Sequence, residues 1–171
     1  MEGENIFLRA VEPQDIDFIL ELENDSDNWR LSETLFPYSR YDIENFVLNT
    51  EHDIFVNKQL RLMIVAKSSG KTIGCIDLFE FDALHKRAGI GIIISKENRK
   101  NGFASEALQL MKNHAFNFLG LHQLFCHIQP NNQLSINLFT KLGYQQTGIK
   151  KDWEFYDGKY EDVYFFQLIN S

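Results

Sequence analysis

The sequence predicts an α/β (α+β) fold: a mixed, mostly antiparallel central sheet of about seven strands with about four helices, in a single domain over residues 1–171. Three observations predict it. Alternating apolar runs at 60–67, 71–81 and 87–95 follow one another through short polar turns and read as an antiparallel meander. Two helical patterns, about 103–119 and from Asn131 or Asn132 to Leu142, then enclose a strand-like run at 122–129. Two last runs flank Asp157-Gly158, a strong hairpin signal.

The elements justify themselves in order. Residues 5–11 (NIFLRAV) read as a short strand. Pro13 suits a first helical turn and Asp15 the positive end of a helix, whose apolar stripe is Ile16, Ile19, Leu20 and Leu22. The stretch 24–41 is polar and broken by Pro37, so it reads as a loop. Asp42 is placed to cap a second helix through Phe46, Val47 and Leu48. In the 71–81 strand Asp77 and Glu80 fall on opposite faces. In 87–95, Gly89 and Gly91 share a face opposite Ile90, Ile92 and Ile94. Glycines paired on one face imply a bulge or the close approach of another molecule to the backbone. Gly120 ends the 103–119 helix and Gly143 the helix after it.

Composition narrows the function. A net charge of −7 argues against nucleic acid as the main partner and permits a cationic one. The runs Ile90–Ile94 and Tyr164–Phe166 are strand-sized, so no membrane span is expected. The N-terminus, Met1 to Asn5, has no basic region or apolar stretch and so predicts no secretory signal. Cys75 and Cys126 sit in apolar runs and read as buried, reduced thiols. Together these predict a cytoplasmic protein. The five histidines lack paired zinc-type spacing, with His122 and His127 on opposite faces of one strand, so no metal is expected.

The stretch 92–111, IIISKENRKNGFASEALQLM, carries the first chemical signal. A helix start has N–H groups without intrahelical partners and a positive dipole end. A glycine lets an anion approach the backbone, and Arg99 and Lys100 add charge, so the turn reads as a phosphate or pyrophosphate site. Neither G-x-x-x-x-G-K-[ST] nor G-x-G-x-x-G is present, which excludes the P-loop and the dinucleotide fingerprint.

A second constellation follows at 131–148, NNQLSINLFTKLGYQQTG. The spacing Arg99-x-x-Gly102-x-Ala104, then Asn132-x-x-Ser135, then Leu138-Phe139-x-Lys141-x-Gly143-Tyr144, resembles the GCN5-related N-acetyltransferase (GNAT) superfamily over roughly residues 5–169. Within it the chain looks like two branches: the spermidine/spermine N-acetyltransferases and the acetyltransferases of ribosomal-protein N-termini. The resemblance implies acetyl-CoA as co-substrate. Backbone groups of Ile92, Ile93 and Ile94 would bind the pantetheine arm like an added strand. Arg99, Lys100, Asn101, Gly102, Phe103 and Ala104 would hold the pyrophosphate. Asn132 would contact the pantetheine or adenosine side; Lys141 reads either as a solvated helix residue or as one that meets a CoA phosphate. The strand Gly89–Ile94 would splay from the next strand and leave a slot for the thioester.

One departure matters: many members carry Tyr at Phe139, where it protonates the leaving thiolate. Ser135, one helical turn earlier on the same face, is the candidate replacement. The alternative is departure without an acid, since a thiol of pKa about 8.5 leaves tolerably as thiolate.

The acceptor must lose a proton: at pH 7 only about one amine in 2,500 is neutral, a deficit of about 4.6 kcal/mol. Glu80, near the loop end of its strand, is the first candidate base and a substrate-binding carboxylate. Related polyamine enzymes tend to have Glu where this chain has Gly89. Glu33 resembles an acidic substrate-site residue of that branch. The segment 12–53 is rich in acids, most of them read as solvated helix faces; Asp25, Asp27 and Glu33 are the ones expected to line a site, with Trp29, Phe36 and Tyr38 as its walls or as anchors of the loop. Three readings stand: acetyl transfer to a small cationic amine such as a polyamine, acetyl transfer to a protein N-terminus, or a CoA-binding module without turnover. A homo-oligomer is left open.

Overall fold

The computed structural model describes residues 1–32, 34–49 and 53–170. Among the described residues, seven strands form one sheet in the order β1-β2-β3-β4-β5-β7-β6. The strands are β1 (Ile6–Ala10), β2 (Leu60–Ala66), β3 (Thr72–Asp82), β4 (Arg87–Ile94), β5 (Gln123–Ile128), β6 (Gln145–Tyr156) and β7 (Lys159–Ile169). The helices are α1 (Ile16–Asn24), α2 (Ser26–Ser32), α3 (Arg40–Asn49), α4 (Ile54–Asn57), α5 (Phe103–Asn113) and α6 (Gln133–Lys141). Every neighbouring strand pair is antiparallel except β4 with β5.

The meander and both middle helices form as their periodicity predicts. α5 is extended by a π turn, His114–Phe118, before Gly120 turns left-handed at φ 66°. Asn132 is the cap of α6, its side chain accepting from the Ser135 N–H at 3.1 Å. The Asp157-Gly158 hairpin forms with both residues at positive φ, 49° and 77°, as a two-residue turn of a right-twisted ribbon requires.

Two expectations are corrected. The stretch 24–41 is not all loop: it holds α2. That helix is fixed by side-chain bonds to the end of α1 rather than by an apolar stripe, with the buried Asn28 donating to the Leu22 carbonyl at 3.2 Å and the Trp29 Nε1–H to the Glu23 carbonyl at 2.9 Å. Asp42 is not the cap of α3. Ser39 precedes the helix, and the two exchange bonds: Asp42 Oδ2 accepts from the Ser39 N–H at 2.9 Å, and Ser39 Oγ accepts from the Asp42 N–H at 3.1 Å. Such reciprocal pairing satisfies donors that a helix start leaves over. With α2 and the short α4 added, about six helices surround the sheet rather than four.

The sheet separates two apolar layers. On one face Ile76, Leu78, Ile90 and Ile94 pack with Leu108 and Met111 of α5 and Phe139 of α6. On the other, Met63 and Cys75 pack with Ile19, Leu22, Ile43 and Val47 of α1 and α3. Both cysteines are free and buried, and burial pushes the Cys75 thiol up to about 12. No described helix is long and apolar enough to cross a membrane.

Candidate active site

The break in the sheet lies between β4 and β5. They pair only through Arg87–Gln123, Ala88–Leu124 and Gly89–Phe125, then separate, although β4 runs on to Ile94 and β5 to Ile128. β3 continues along the other edge of β4 as far as Ile94. The edge of β4 that faces β5 therefore has no strand beside it beyond Gly89, and a slot opens where the splay was expected.

A cleft of about 320 Å³ opens from this slot. One wall is Gly91, Ile92 and Ile93 of β4; the other is His127 and Gln129 at the end of β5. Its floor is formed by Phe79 and His127, on the face opposite α5 and α6, and Phe125 and Phe165 link these two rings. Phe79 meets Phe125 edge-on at 5.9 Å, Phe165 lies 5.6 Å from Phe125, and His127 lies 5.4 Å from Phe165. Gly89 is needed for this floor: a Cβ there would come within 2.2 Å of the Phe79 ring. The paired glycines thus make room for a neighbouring side chain as well as for a slot.

Three carboxylates line the cleft: Asp77, Glu80 and Glu154. Asp77 is clamped by Arg61, which donates from Nε at 2.8 Å and from Nη2 at 3.1 Å, while its Nη1 reaches the buried Glu23 at 2.6 Å. The alternation that sends Asp77 and Glu80 to opposite faces is broken by a bulge. Phe79 pairs Gly89 but Asp82 pairs Arg87, so β3 carries one extra residue, and Glu80 stands at φ 48°. The extra residue brings Glu80 to the same cleft as Asp77, exposed at its mouth. β6 is bulged more strongly: Lys150 pairs Val163 and Glu154 pairs Glu161, with Asp152 at φ 50° between them. That excess brings Glu154 to Gln129, whose Nε2 donates to its two oxygens at 3.0 and 3.3 Å. Sequence reasoning missed Glu154, because it sits in a strand read as an ordinary hairpin arm.

The glycine turn lies at the far end of β4. Gly102 precedes α5 at φ 83°, with open space where its Cβ would be, so the backbone there admits a bulky anion. Lys100 is exposed and left-handed at φ 66°. Arg99 turns back: its Nε donates to the Ile94 carbonyl at 2.9 Å and its Nη2 to Asn28 at 3.2 Å. Asn101 likewise braces the turn through the Asn98 and Arg99 carbonyls at 3.2 and 3.3 Å. The turn thus offers backbone N–H groups and the Lys100 charge, with Arg99 joining it to β4. Phe103 and Ala104 pack against the main core. Ser135 is half-buried in the first turn of α6, and Lys141 is exposed in the last.

Phe139 is a core side chain, edge-on to Tyr144 at a 5.0 Å ring separation. The Tyr144 hydroxyl is buried without a hydrogen-bond partner among the described residues, and burial pushes its pKa up. Of the acids expected to line a site, Asp25 and Asp27 instead hold Lys96 at 3.1 and 2.8 Å. Phe36 is exposed and Trp29 is an anchor of α2, while Glu33 lies outside the described residues.

A sheet split between two parallel strands, a glycine-led helix start at one end of the split and a carboxylate-lined cleft on the opposite face are the features of an acyl-transferring enzyme. The acetyltransferase (GNAT) domain family matches residues 5–145, and the chain belongs to that family. Its co-substrate is acetyl-CoA. The chain is similar to spermidine N(1)-acetyltransferase of Vibrio cholerae, with 29% identity over 96% of this chain and 92% of that protein. It is also similar to an uncharacterized N-acetyltransferase, p20, of Bacillus licheniformis, with 28% identity over 97% and 93%. The crystal structure of spermidine N-acetyltransferase from Vibrio cholerae in complex with CoA and spermine superposes with a TM-score of 0.86 at 27% identity, covering 98% of this chain and 96% of that one.

Proposed function

We propose that this enzyme transfers the acetyl group of acetyl-CoA to the primary amine of a small cationic acceptor such as a polyamine, by direct attack on the thioester. The observation that carries it is the cleft: an apolar, ring-floored pocket that opens from the β4–β5 split and carries carboxylates. An ammonium is drawn to carboxylates and to ring faces alike. The relatives named spermidine N(1)-acetyltransferase and the neighbour bound to CoA and spermine support the same acceptor class.

In this reading the β5-facing edge of Ile92, Ile93 and Ile94 takes the pantetheine arm as a substitute strand. The N–H groups from Lys100 to Ala104 receive the pyrophosphate, with Arg99 bracing the turn. Asn132 and Lys141, at the two ends of α6, border the nucleotide side. Backbone N–H groups of β4 polarise the thioester carbonyl, and holding amine and thioester together supplies much of the rate. Glu80, at the cleft mouth, anchors a cationic end of the acceptor. The buried Phe139 cannot donate a proton, so Ser135 is the candidate acid, or the thiolate leaves unassisted.

The test is thiol release from acetyl-CoA over a panel of polyamines, amino sugars and N-terminal peptides. Polyamines should be turned over most efficiently, and the rate with spermidine should fall as salt rises, since exposed charges are screened beyond about 8 Å at physiological ionic strength. Ser135 in the first turn of α6 favours the second reading, a ribosomal-protein N-terminus. Efficient peptide acetylation with no polyamine turnover would establish that reading instead, and no thiol release with any acceptor would leave CoA binding alone.

A further inference from the structure

We infer that Glu154 is the carboxylate that takes the acceptor's proton, and that Gln129 positions it. The inference rests on the amine-acetyltransferase reading above and assigns a step within it.

The β4 wall cannot supply the base. Gly91 offers only backbone, and a side chain at Gly89 would collide with Phe79. Among the described residues, three carboxylates remain along the cleft. Asp77 is held by two N–H groups of Arg61, which occupy both of its oxygens in a fixed ion pair. Glu80 stands exposed at the mouth. Glu154 is half-buried and reaches the end of β5, across the slot from Gly91 and Ile93.

Its position is built rather than incidental. β6 is the outermost strand, separated from β5 by β7. From Lys150 to Glu154 it advances four residues while β7 retreats two, from Val163 to Glu161. Asp152 at φ 50° is the strained residue of this bulge, and its N–H is caught by the Asp162 carboxylate at 3.1 Å, with Lys151 on the same carboxylate at 2.6 Å. Bulges of this kind re-aim side chains beside active sites, and non-glycine residues persist at positive φ only where their surroundings enforce it. The buried Gln129 amide, donating to both oxygens of Glu154, fixes the carboxylate plane across the cleft.

The step balances as follows. The acceptor ammonium gives one proton to the Glu154 carboxylate and becomes a neutral amine. Its lone pair forms the C–N bond to the acetyl carbon as the C–S bond breaks. The nitrogen's second proton ends on the thiolate sulfur, leaving the amide and the CoA thiol, and Glu154 returns its proton to solvent.

The pH dependence of kcat/KM with spermidine tests this in the full-length protein. With Glu154 present the reactive pair is carboxylate plus ammonium, so kcat/KM stays nearly level from about pH 6.5 to 9. In Glu154→Gln only the neutral amine reacts: kcat/KM should fall about 10²- to 10⁴-fold at pH 7 and rise tenfold per pH unit toward the amine's pKa near 10.4. Calorimetric CoA affinity should not change, and Glu161→Gln, the cross-strand neighbour, should keep the wild-type profile. Gln129→Leu should lower kcat more than it raises KM, because the carboxylate loses the amide that holds its plane across the cleft. A level profile in Glu154→Gln with kcat/KM within threefold of wild type would overturn the assignment. So would the tenfold slope appearing in Glu80→Gln but not in Glu154→Gln. If the wild type acetylates a peptide but not spermidine, the polyamine reading alone fails, and the same series is read with the peptide amine, whose pKa is near 8. A wild type that acetylates neither overturns both.

Discussion

Gly102 allows the cost of folding to be separated from the cost of binding. It precedes α5 at φ 83°, a region that an L-residue enters at about 1–2 kcal/mol. A Cβ there meets nothing within 4 Å, so steric collision adds nothing to that figure. For a chain of this length the penalty corresponds to a fall in Tm of roughly 2–8 °C. The new side chain, however, projects into the space through which a pyrophosphate would approach the first-turn N–H groups. Hydrogen bonds to a charged acceptor are worth about 1.5–3 kcal/mol each. Losing one or two of them weakens CoA binding about 10- to 10⁴-fold. Gly102→Ala should fall at the weak end of that range and Gly102→Val at the strong end, by calorimetry with CoA beside thermal melts of the same samples. A Gly102→Val protein that melts within the stated range and binds CoA within threefold of wild type would refute the placement of the pyrophosphate.

Arg61→Ala leaves the buried Glu23 and the half-buried Asp77 without their common cation and should cost about 3 kcal/mol in denaturant melts; converting both acids to leucine along with Arg61→Met should restore most of it, and a loss under about 1 kcal/mol for Arg61→Ala would contradict the account. Burial pushes the Asp15 carboxyl up, but bonds from Arg9, the Glu12 N–H and Thr72 outweigh it and hold the pKa below the usual value. Its contribution is therefore complete at neutral pH and lost as pH falls through the carboxylate range, below about 4, so Asp15→Asn should be destabilised at pH 7 and converge with wild type near pH 2–3; a gap that stays constant would argue against it. Ser135→Ala should lower kcat more than CoA affinity, and unchanged turnover would assign the thiolate an unassisted departure. Phe139→Leu should cost less than about 1.5 kcal/mol, as volume-conserving core exchanges do.

What could be read from the sequence was local. The meander, the helix ends at Gly120 and Gly143, the Asn132 cap and the Asp157-Gly158 turn each depend on a few adjacent residues whose own conformations decide the outcome. The glycine turn before α5 was legible for the same reason. α2 was not, because its apolar stripe is weak and Asn28 and Trp29 are fixed by carbonyls at the end of α1, with Arg99 donating to Asn28 from far along the chain. The carboxylate-lined cleft was legible only in part. Strand alternation places side chains as long as the pleat is regular, and both Glu80 and Glu154 sit at bulges. Each bulge is visible only through the register of a neighbouring strand. One weak signal was present: LysLysAspTrpGlu at 150–154 breaks the alternation that the rest of the hairpin follows.

The two bulges and the glycine pair serve one arrangement. A parallel neighbour to β4 is tolerated for three residues, after which the strands part and leave an edge of unpaired backbone. An open edge inside a sheet is a liability unless something completes it, and a pantetheine arm with its own amide groups is chemically suited to do so. The carboxylates cannot lie along that edge, where they would stand in the arm's path and oppose the phosphates' negative charge. They are set on the other face, beside the rings of Phe79 and His127, and line the cleft from β3 and β6 rather than from β4. Gly89 is the residue on which this depends: without a side chain it leaves room for Phe79 to floor the cleft, which a Cβ within 2.2 Å of that ring would not.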